Sequence, residues 1–356
     1  MSIAFEPVRL GDLTLNNRIV MAPMTRSRAG EGNAPTDLTA TYYAQRASAG
    51  LIISEAVQPS AGGQGYISTP GLHSDAQVEA WRVVTEKVHA EGGAIVAQLM
   101  HSGRIGHPDL LPDGLVPVAP SPVKADATTF TAEGPKDSVV PRELTTAEVE
   151  QTIADFAAAA RNAIAAGFDG VELHGANGYL IHQFLSDNVN LRTDRFGGSI
   201  EGRTRFAAEV TAAVADSIGP RRLGLRISPA HPLVGLTEAD PEALYADLVA
   251  RLPRELAYLH VMETGRRDLT RLVREAWNGP LILNPHAEFP SAAGPDSLDV
   301  LGEGLADAVA FGSLFLANPD LPRRLREGGP FNEADRATFY GGDHRGYTDY
   351  PALDGA

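Results

Sequence analysis

The chain of 356 residues carries a hydrophobic fraction of 43%, no cysteine and a formal net charge of −15. This composition supplies a sizeable core and rules out disulfides, thiolate metal sites and a cysteine nucleophile. The negative charge disfavours nucleic acid and anionic membrane as partners, since both reward cationic surfaces, but it leaves room for a local basic pocket that takes a phosphate.

The opening Met1-Ser2-Ile3-Ala4-Phe5-Glu6 has no basic region followed by an apolar stretch. No apolar run approaches the roughly 20 residues that span a bilayer. A soluble cytoplasmic protein without a signal peptide is therefore expected. Residues 5–18 read as a hairpin, Val8-Arg9-Leu10 and Leu13-Thr14-Leu15 flanking a Gly11-Asp12 turn. Short apolar runs then alternate with long amphipathic segments. The runs lie at 19–24, 51–54, 94–99, 170–173, 223–227, 258–261, 281–283 and 308–311, eight candidate strands. Between them, Thr145-Thr146-Ala147-Glu148 is a capping box, followed by an alanine-rich helix that Gly167 ends at its C′ position. The segments 75–91 and 202–218 stop at Gly92-Gly93 and Gly219. Eight strands alternating with helices predict an α/β fold, a parallel (β/α)8 TIM barrel with function at the C-terminal ends of its strands. Barrels of this length commonly form one domain, here 1–356. Residues 101–144, rich in Pro and Gly, break the rhythm as a structureless excursion, and such excursions often serve as lids.

The chemistry-bearing stretch is His174-Gly175-Ala176-Asn177-Gly178-Tyr179, after the apolar run 170–173. His174 and Asn177 can both donate to one oxygen, and Tyr179 holds an exchangeable phenolic proton. Two donors on a carbonyl oxygen stabilise the charge that appears when a conjugated carbon is attacked by hydride. A phenol nearby can protonate the resulting enolate carbon. Read alone, the same residues can cap a strand and set a turn. The other strand ends add Pro23-Met24-Thr25, Gln98 and Arg226. Each has a plain role available: Thr25 as a turn cap, Gln98 as a core amide, Arg226 in a buried ion pair. Buried Gln and Arg on apolar strands are costly unless paired, and a shared ligand accounts for both. A flavin ring suits such a set, although these residues by themselves do not identify it.

From the hairpin to the carboxyl end the chain resembles the Old Yellow Enzyme family of flavin-dependent ene-reductases. The matching stretches include Asn17-Arg18-Ile19-Val20-Met21-Ala22-Pro23-Met24-Thr25-Arg26, Ala97-Gln98-Leu99 and His174-Gly175-Ala176-Asn177-Gly178-Tyr179-Leu180. Leu225-Arg226-Ile227-Ser228-Pro229, Asn318-Pro319-Asp320-Leu321 and Thr338-Phe339-Tyr340-Gly341 extend the match. The resemblance implies a barrel with the hairpin as a cap across its bottom and FMN at its top. NADPH or NADH would reduce the flavin, which would pass hydride to the β-carbon of an electron-poor alkene (an enone, enal or nitroalkene). Thr25, Gln98 and Arg226 match flavin-ring contacts, with Pro23 and Met24 beside them. His174 and Asn177 match the pair that holds the substrate oxygen, and Tyr179 matches the proton donor. Tyr66 and Tyr340 resemble aromatic walls of the substrate pocket. Met100 stands where the family often has an aromatic residue, implying a softer pocket.

The phosphate end departs from the family. Strand seven runs into Asn284-Pro285-His286-Ala287-Glu288-Phe289-Pro290-Ser291 instead of a short glycine turn, and strand eight ends in Gly312-Ser313 instead of Gly-Arg. Pro285 offers no amide proton, and Glu288 pointing inward would repel a dianion. A hydrogen bond to a charged group is worth roughly 1.5–3 kcal/mol, so loss of that arginine predicts FMN weakened about ten- to a hundredfold. Asn284, His286, Ser291 and Ser313 are the local substitutes, and Arg266 or Arg267 after strand six are candidate replacement cations. Other arrangements are a deazaflavin or differently phosphorylated flavin, a redox-neutral isomerase or biosynthetic enzyme on the same scaffold, or a cofactor-free ligand-binding barrel. The physiological alkene and the oligomeric state, a homo-oligomer included, stay open at this level.

Overall fold

The computed structural model describes residues 2–286 and 292–353. Strands β1 (Val8–Leu10) and β2 (Leu13–Leu15) pair antiparallel as the predicted hairpin. Next come β3 (Ile19–Met21), β4 (Leu51–Val57) and β5 (Ile95–Leu99). The excursion carries β6 (Val118–Ala119), β7 (Thr128–Thr131), β8 (Gly134–Asp137) and β9 (Arg142–Glu143). Then follow β10 (Gly170–Gly175), β11 (Leu223–Ile227), β12 (Tyr258–Met262), β13 (Leu281–Asn284) and β14 (Ala308–Phe311). Eight of these close a parallel barrel in the order β10-β11-β12-β13-β14-β3-β4-β5, with β5 returning to β10. The predicted (β/α)8 barrel is the observed one.

The strands are buried on both faces, so they read as continuous apolar runs, and only their parity separates inside from outside. Val20, Leu51, Ile53, Val96, Ile282, Ala308 and Ala310 share an interior cluster with Leu10 and Leu15 of the hairpin. The hairpin thus plugs one end of the barrel. Leu173, Leu225, Leu259, Leu283 and Val309 belong to the larger cluster shared with the helices. The helix Thr146–Ala165 starts at the predicted capping box, with Thr145 N donating to Glu148 Oε2 at 2.8 Å, and Gly167 follows it at φ 88°.

Three expectations change. β3 stops at Met21, short of residue 24, because Pro23 cannot donate to a ladder. β4 runs on to Val57 through fully buried Ser54 and Glu55, polar residues that hid its second half. A register shift between Ile53 and Ala56 lets Ser54 Oγ accept from Gln98 N at 3.1 Å. The excursion 101–144 is not structureless: β7 and β8 form a hairpin, and β6 pairs with β9.

If the plug stabilises the barrel as its burial implies, Leu10→Ala should lower unfolding free energy by about 2–5 kcal/mol. Arg9→Ala, on the exposed side of the same strand, should leave it within error. The urea midpoint at constant slope is the measurement.

Candidate active site

The site starts from the parity of β10. With Glu172 and His174 on the interior face, the strand carries a carboxylate one layer below an imidazole. Register sets the rest: His174 lies opposite Arg226 on β11, and Arg226 opposite His260 on β12. Arg226 Nη2 donates to Asn284 Oδ1 at 3.0 Å, and Asn284 Nδ2 donates to Ala310 O at 2.9 Å. Below them, Gln98 Nε2 and His260 Nδ1 each donate to Glu172, both at 2.8 Å. Since a carboxylate only accepts, the proton of His260 sits on Nδ1. Burial alone would raise the Glu172 carboxyl, but His260 and Arg226 pull it below its ordinary value. Burial holds His260 below its own, so the pair is a carboxylate and a neutral imidazole.

Beyond His174 the chain turns sharply. Asn177 has φ 56° and Gly178 φ 85°, and a Cβ on Gly178 would lie 2.5 Å from Val234 Cγ2. Asparagine tolerates the left-handed region and glycine is required beside it. Asn177 N donates to Ser228 Oγ at 2.9 Å, fixing the turn over the end of β11. The turn delivers Tyr179, whose ring meets that of His174 edge-on at 4.8 Å and whose hydroxyl lies 2.8 Å from that of Tyr66. Burial, then the Arg226 charge, hold the His174 imidazole well below its usual range, so it is neutral at pH 7 and keeps one N–H. Burial and the Tyr66 contact push the Tyr179 phenol well above 10, so it keeps its proton at neutral pH.

The roof is built by the carboxyl-terminal tail. Arg26 and Arg28, just past β3, donate to tail carbonyls: Arg26 Nη2 to Gly346 O at 2.8 Å, Arg28 Nη2 to Thr338 O at 3.0 Å. Arg26 also lies over the rings of Tyr42 and Tyr347, which stack at 4.3 Å. This clasp carries Phe339 and Tyr340 to the barrel mouth. Two adjoining cavities open there, of about 780 and 640 Å3, both edged by Pro23, Gly312, Ser313, Phe339 and Tyr340. The larger also has Met24, Thr25, Tyr66 and Tyr179 in its wall, with Thr128 and Phe130 of the excursion hairpin. The smaller has Asn177, Arg226, Asn284, His286 and Arg336.

Most of the residues read from the sequence therefore converge. His174 sits just beneath, 5% exposed, with Nδ1 lacking a partner among the described residues, as do Asn177 Oδ1 and Arg226 Nε. Gln98 and Met100 line neither cavity. Gln98 is turned to Glu172, and Met100 is 3% exposed with its N–H still bonded to Val57 O at 2.9 Å. Arg266 and Arg267 do not reach the site: Arg266 pairs with Glu242 and Asp268, Arg267 with Glu263. Glu288 and Ser291 lie outside the described residues. Sequence reading passed over Glu172, His260 and Arg336. The first two carried a usable signal, an ionisable side chain on the interior parity of an apolar strand. Arg336 carried none, since only the folded tail brings it here.

The family model described as NADH:flavin oxidoreductase / NADH oxidase family matches residues 4–332. Among curated relatives, 12-oxophytodienoate reductase 1 of Oryza sativa subsp. japonica is 42% identical over 368 residues, covering 98% of this chain and 92% of its own. A probable flavin mononucleotide-dependent alkene reductase of Leishmania infantum is 42% identical over 363 residues, covering 99% and 98%. The solved structure of an old yellow enzyme homologue from Zymomonas mobilis superposes with TM-score 0.92 at 42% identity, covering 98% of this chain and 99% of that one.

Glu172→Gln should lower stability at pH 7 by about 3–5 kcal/mol, since it strips the countercharge from buried Arg226. A depressed carboxylate stabilises above its unfolded value and loses that contribution as pH falls through its folded value. The gap to the unaltered protein should therefore narrow on acidification below 4.5, the ordinary value for glutamate, as read from urea midpoints across pH.

Proposed function

The chain belongs to the NADH:flavin oxidoreductase / NADH oxidase family, and on that premise we propose that His174, Asn177 and Tyr179 are its substrate-binding and proton-donating groups. The protein is an NAD(P)H-dependent flavin ene-reductase of the Old Yellow Enzyme type, with FMN as its cofactor and small electron-poor alkenes as its substrates. The fit to a flavin rests on the orphaned atoms. His174 Nδ1, Asn177 Oδ1 and Arg226 Nε are buried without partners, an arrangement that costs about 1–3 kcal/mol per group unless a ligand answers it. Asn177 and Arg226 line the smaller of two adjoining cavities of about 640 and 780 Å3, with His174 just beneath, and together these leave room for a tricyclic ring, its ribityl phosphate and a substrate. Pro23, Met24, Thr25 and Arg226 would hold the ring, with Gln98 below it, while Asn284, Gly312 and Ser313 border the path to the phosphate. Bound FMN supplies a hydride relay from NADH or NADPH to the β-carbon of the alkene.

The chain's own residues do the rest. Neutral His174 donates its remaining N–H, and a half-turn of the Asn177 amide exchanges Oδ1 for Nδ2, so both can donate to one substrate oxygen. Two such donors, fixed in place before the reaction, stabilise the enolate that develops there. Tyr179 then gives its phenolic proton to the α-carbon, and Tyr66, at 2.8 Å, holds that hydroxyl in place. Arg226, buried in the cavity wall, would supply a fixed positive charge to the ring. Tyr340, Phe130 and Met24 would wall the substrate, with Met100 behind them. We also read the chain as one barrel domain, with 101–144 as its lid, because the β7–β8 hairpin contributes to the larger cavity. Among the described residues no helix is long and apolar enough to cross a membrane, and we place the enzyme in the cytoplasm. The observation that carries this reading is that one turn sets Tyr179 in the wall of the larger cavity and Asn177 beside Arg226 in the wall of the adjoining smaller one, with His174 buried just beneath.

The purified protein should be yellow, should release FMN on denaturation, and should bleach when mixed anaerobically with NADPH. Tyr179→Phe should bleach at the unaltered rate yet reduce an enone about a hundredfold or more slowly. A colourless protein that takes up no flavin would overturn the reading.

A further inference from the structure

The smaller cavity raises a question of charge. The residue after Gly312 at the end of β14 is Ser313, so no cation follows the strand where a terminal phosphate would lie. Yet this cavity has an arginine at each end. Arg226 lies deep in it, 4% exposed, and Arg336 lies at its exposed rim on the tail. Among the described residues no carboxylate lines this cavity.

Arg336 also differs from most arginines near it, although Arg326 on the preceding helix likewise lacks an ion pair among the described residues and packs on the Phe5 ring. On the tail and the helix before it, Arg324 pairs with Asp320 and Arg345 with Asp343, while Arg266 and Arg267 pair with glutamates and an aspartate. Arg336 forms no ion pair within the described residues, in a chain of net charge −15. Its backbone is nonetheless fixed. Asp335 Oδ1 accepts from Ala337 N at 3.0 Å, and Tyr350 Oη accepts from Asp335 N at 2.9 Å, with the Arg28 clasp at Thr338 beyond. A guanidinium with no ion pair among the described residues, on an anchored backbone beside a cavity that no described carboxylate lines, is built to meet an anion. Its planar fork matches phosphate oxygens two at a time.

We propose that Arg336, delivered by the carboxyl-terminal tail, supplies the cation for the terminal phosphate of the flavin in place of the arginine absent at position 313. Ser313 adds a hydroxyl donor at the same wall. The inference rests on the flavin reading above and concerns only how this chain holds the phosphate. It predicts a division of labour: Arg226 serves the ring and tolerates a flavin without phosphate, whereas Arg336 serves the phosphate alone.

The test is fluorescence titration of the flavin-depleted full-length chain with FMN and with riboflavin, which lacks the phosphate. Arg336→Gln should weaken FMN roughly ten- to a hundredfold and leave riboflavin unchanged. Arg336→Lys should recover part of the loss. The difference between the unaltered chain and Arg336→Gln should shrink with added salt, because the pair is exposed at the rim. Arg266→Ala, which pairs only with carboxylates, should behave as the unaltered chain. If Arg336→Gln keeps its preference for FMN over riboflavin, the proposal is overturned. It is equally overturned if FMN binding is unchanged and the KM for NADPH rises, since the phosphate met would then be that of the nicotinamide. Failure of the unaltered chain to bind either flavin would sink the underlying functional reading instead.

Discussion

A carboxylate sealed inside an apolar barrel must be answered from several directions at once, and Glu172 is answered by an amide, an imidazole and a guanidinium from three other strands. Left alone it would cost several kcal/mol. Paired, it ties β5, β10 and β12 together at one height and fixes a negative charge beneath Arg226. That pairing lets a guanidinium stay charged at 4% exposure one layer higher. Arg226 in turn helps keep the neighbouring His174 neutral. The protonation of the upper layer thus follows from the composition of the layer below.

The barrel interior reads as a gradient. At the hairpin end it is built of aliphatic side chains and the Tyr258 ring, and is closed by Leu10 and Leu15. In the middle it is polar, with Glu172 met by Gln98 and His260. At the mouth it is polar and unsatisfied, with buried atoms of His174, Asn177 and Arg226 lacking partners. Such groups persist where the surrounding packing over-determines them, and here the Asn177–Gly178 turn and the Ser228 hydrogen bond do so. The mouth is unstable toward emptiness in the way a ligand site has to be.

The tail adds a second organising contact. Arg26 and Arg28 collect carbonyls from residues more than 300 positions away, and Arg26 packs against the stacked rings of Tyr42 and Tyr347. One clasp therefore sets the positions of Tyr340, which lines both cavities, and of Arg336, which lines the smaller. The two cavities share this roof through Phe339 and Tyr340, so their walls are mechanically linked.

Much of this was legible along the chain. The alternation of short apolar runs with capped helices determined the barrel, because period and capping are local properties of the backbone. The grouping of His174, Asn177 and Tyr179 was legible for the same reason: one tight turn holds all three side chains. Boundaries were lost where polar residues interrupted apolar runs, as at Ser54 and Glu55. Glu172 and His260 could have been seen by asking which face of their strands points inward. Other features required the folded molecule. That Gln98 turns to Glu172, that Arg266 and Arg267 are neutralised elsewhere, and that Arg336 comes to the cavity rim all depend on contacts between segments far apart in sequence. Local spacing fixes which side of a strand or helix a residue occupies, whereas its partner is decided only when closure of the barrel and return of the tail bring distant charges within reach.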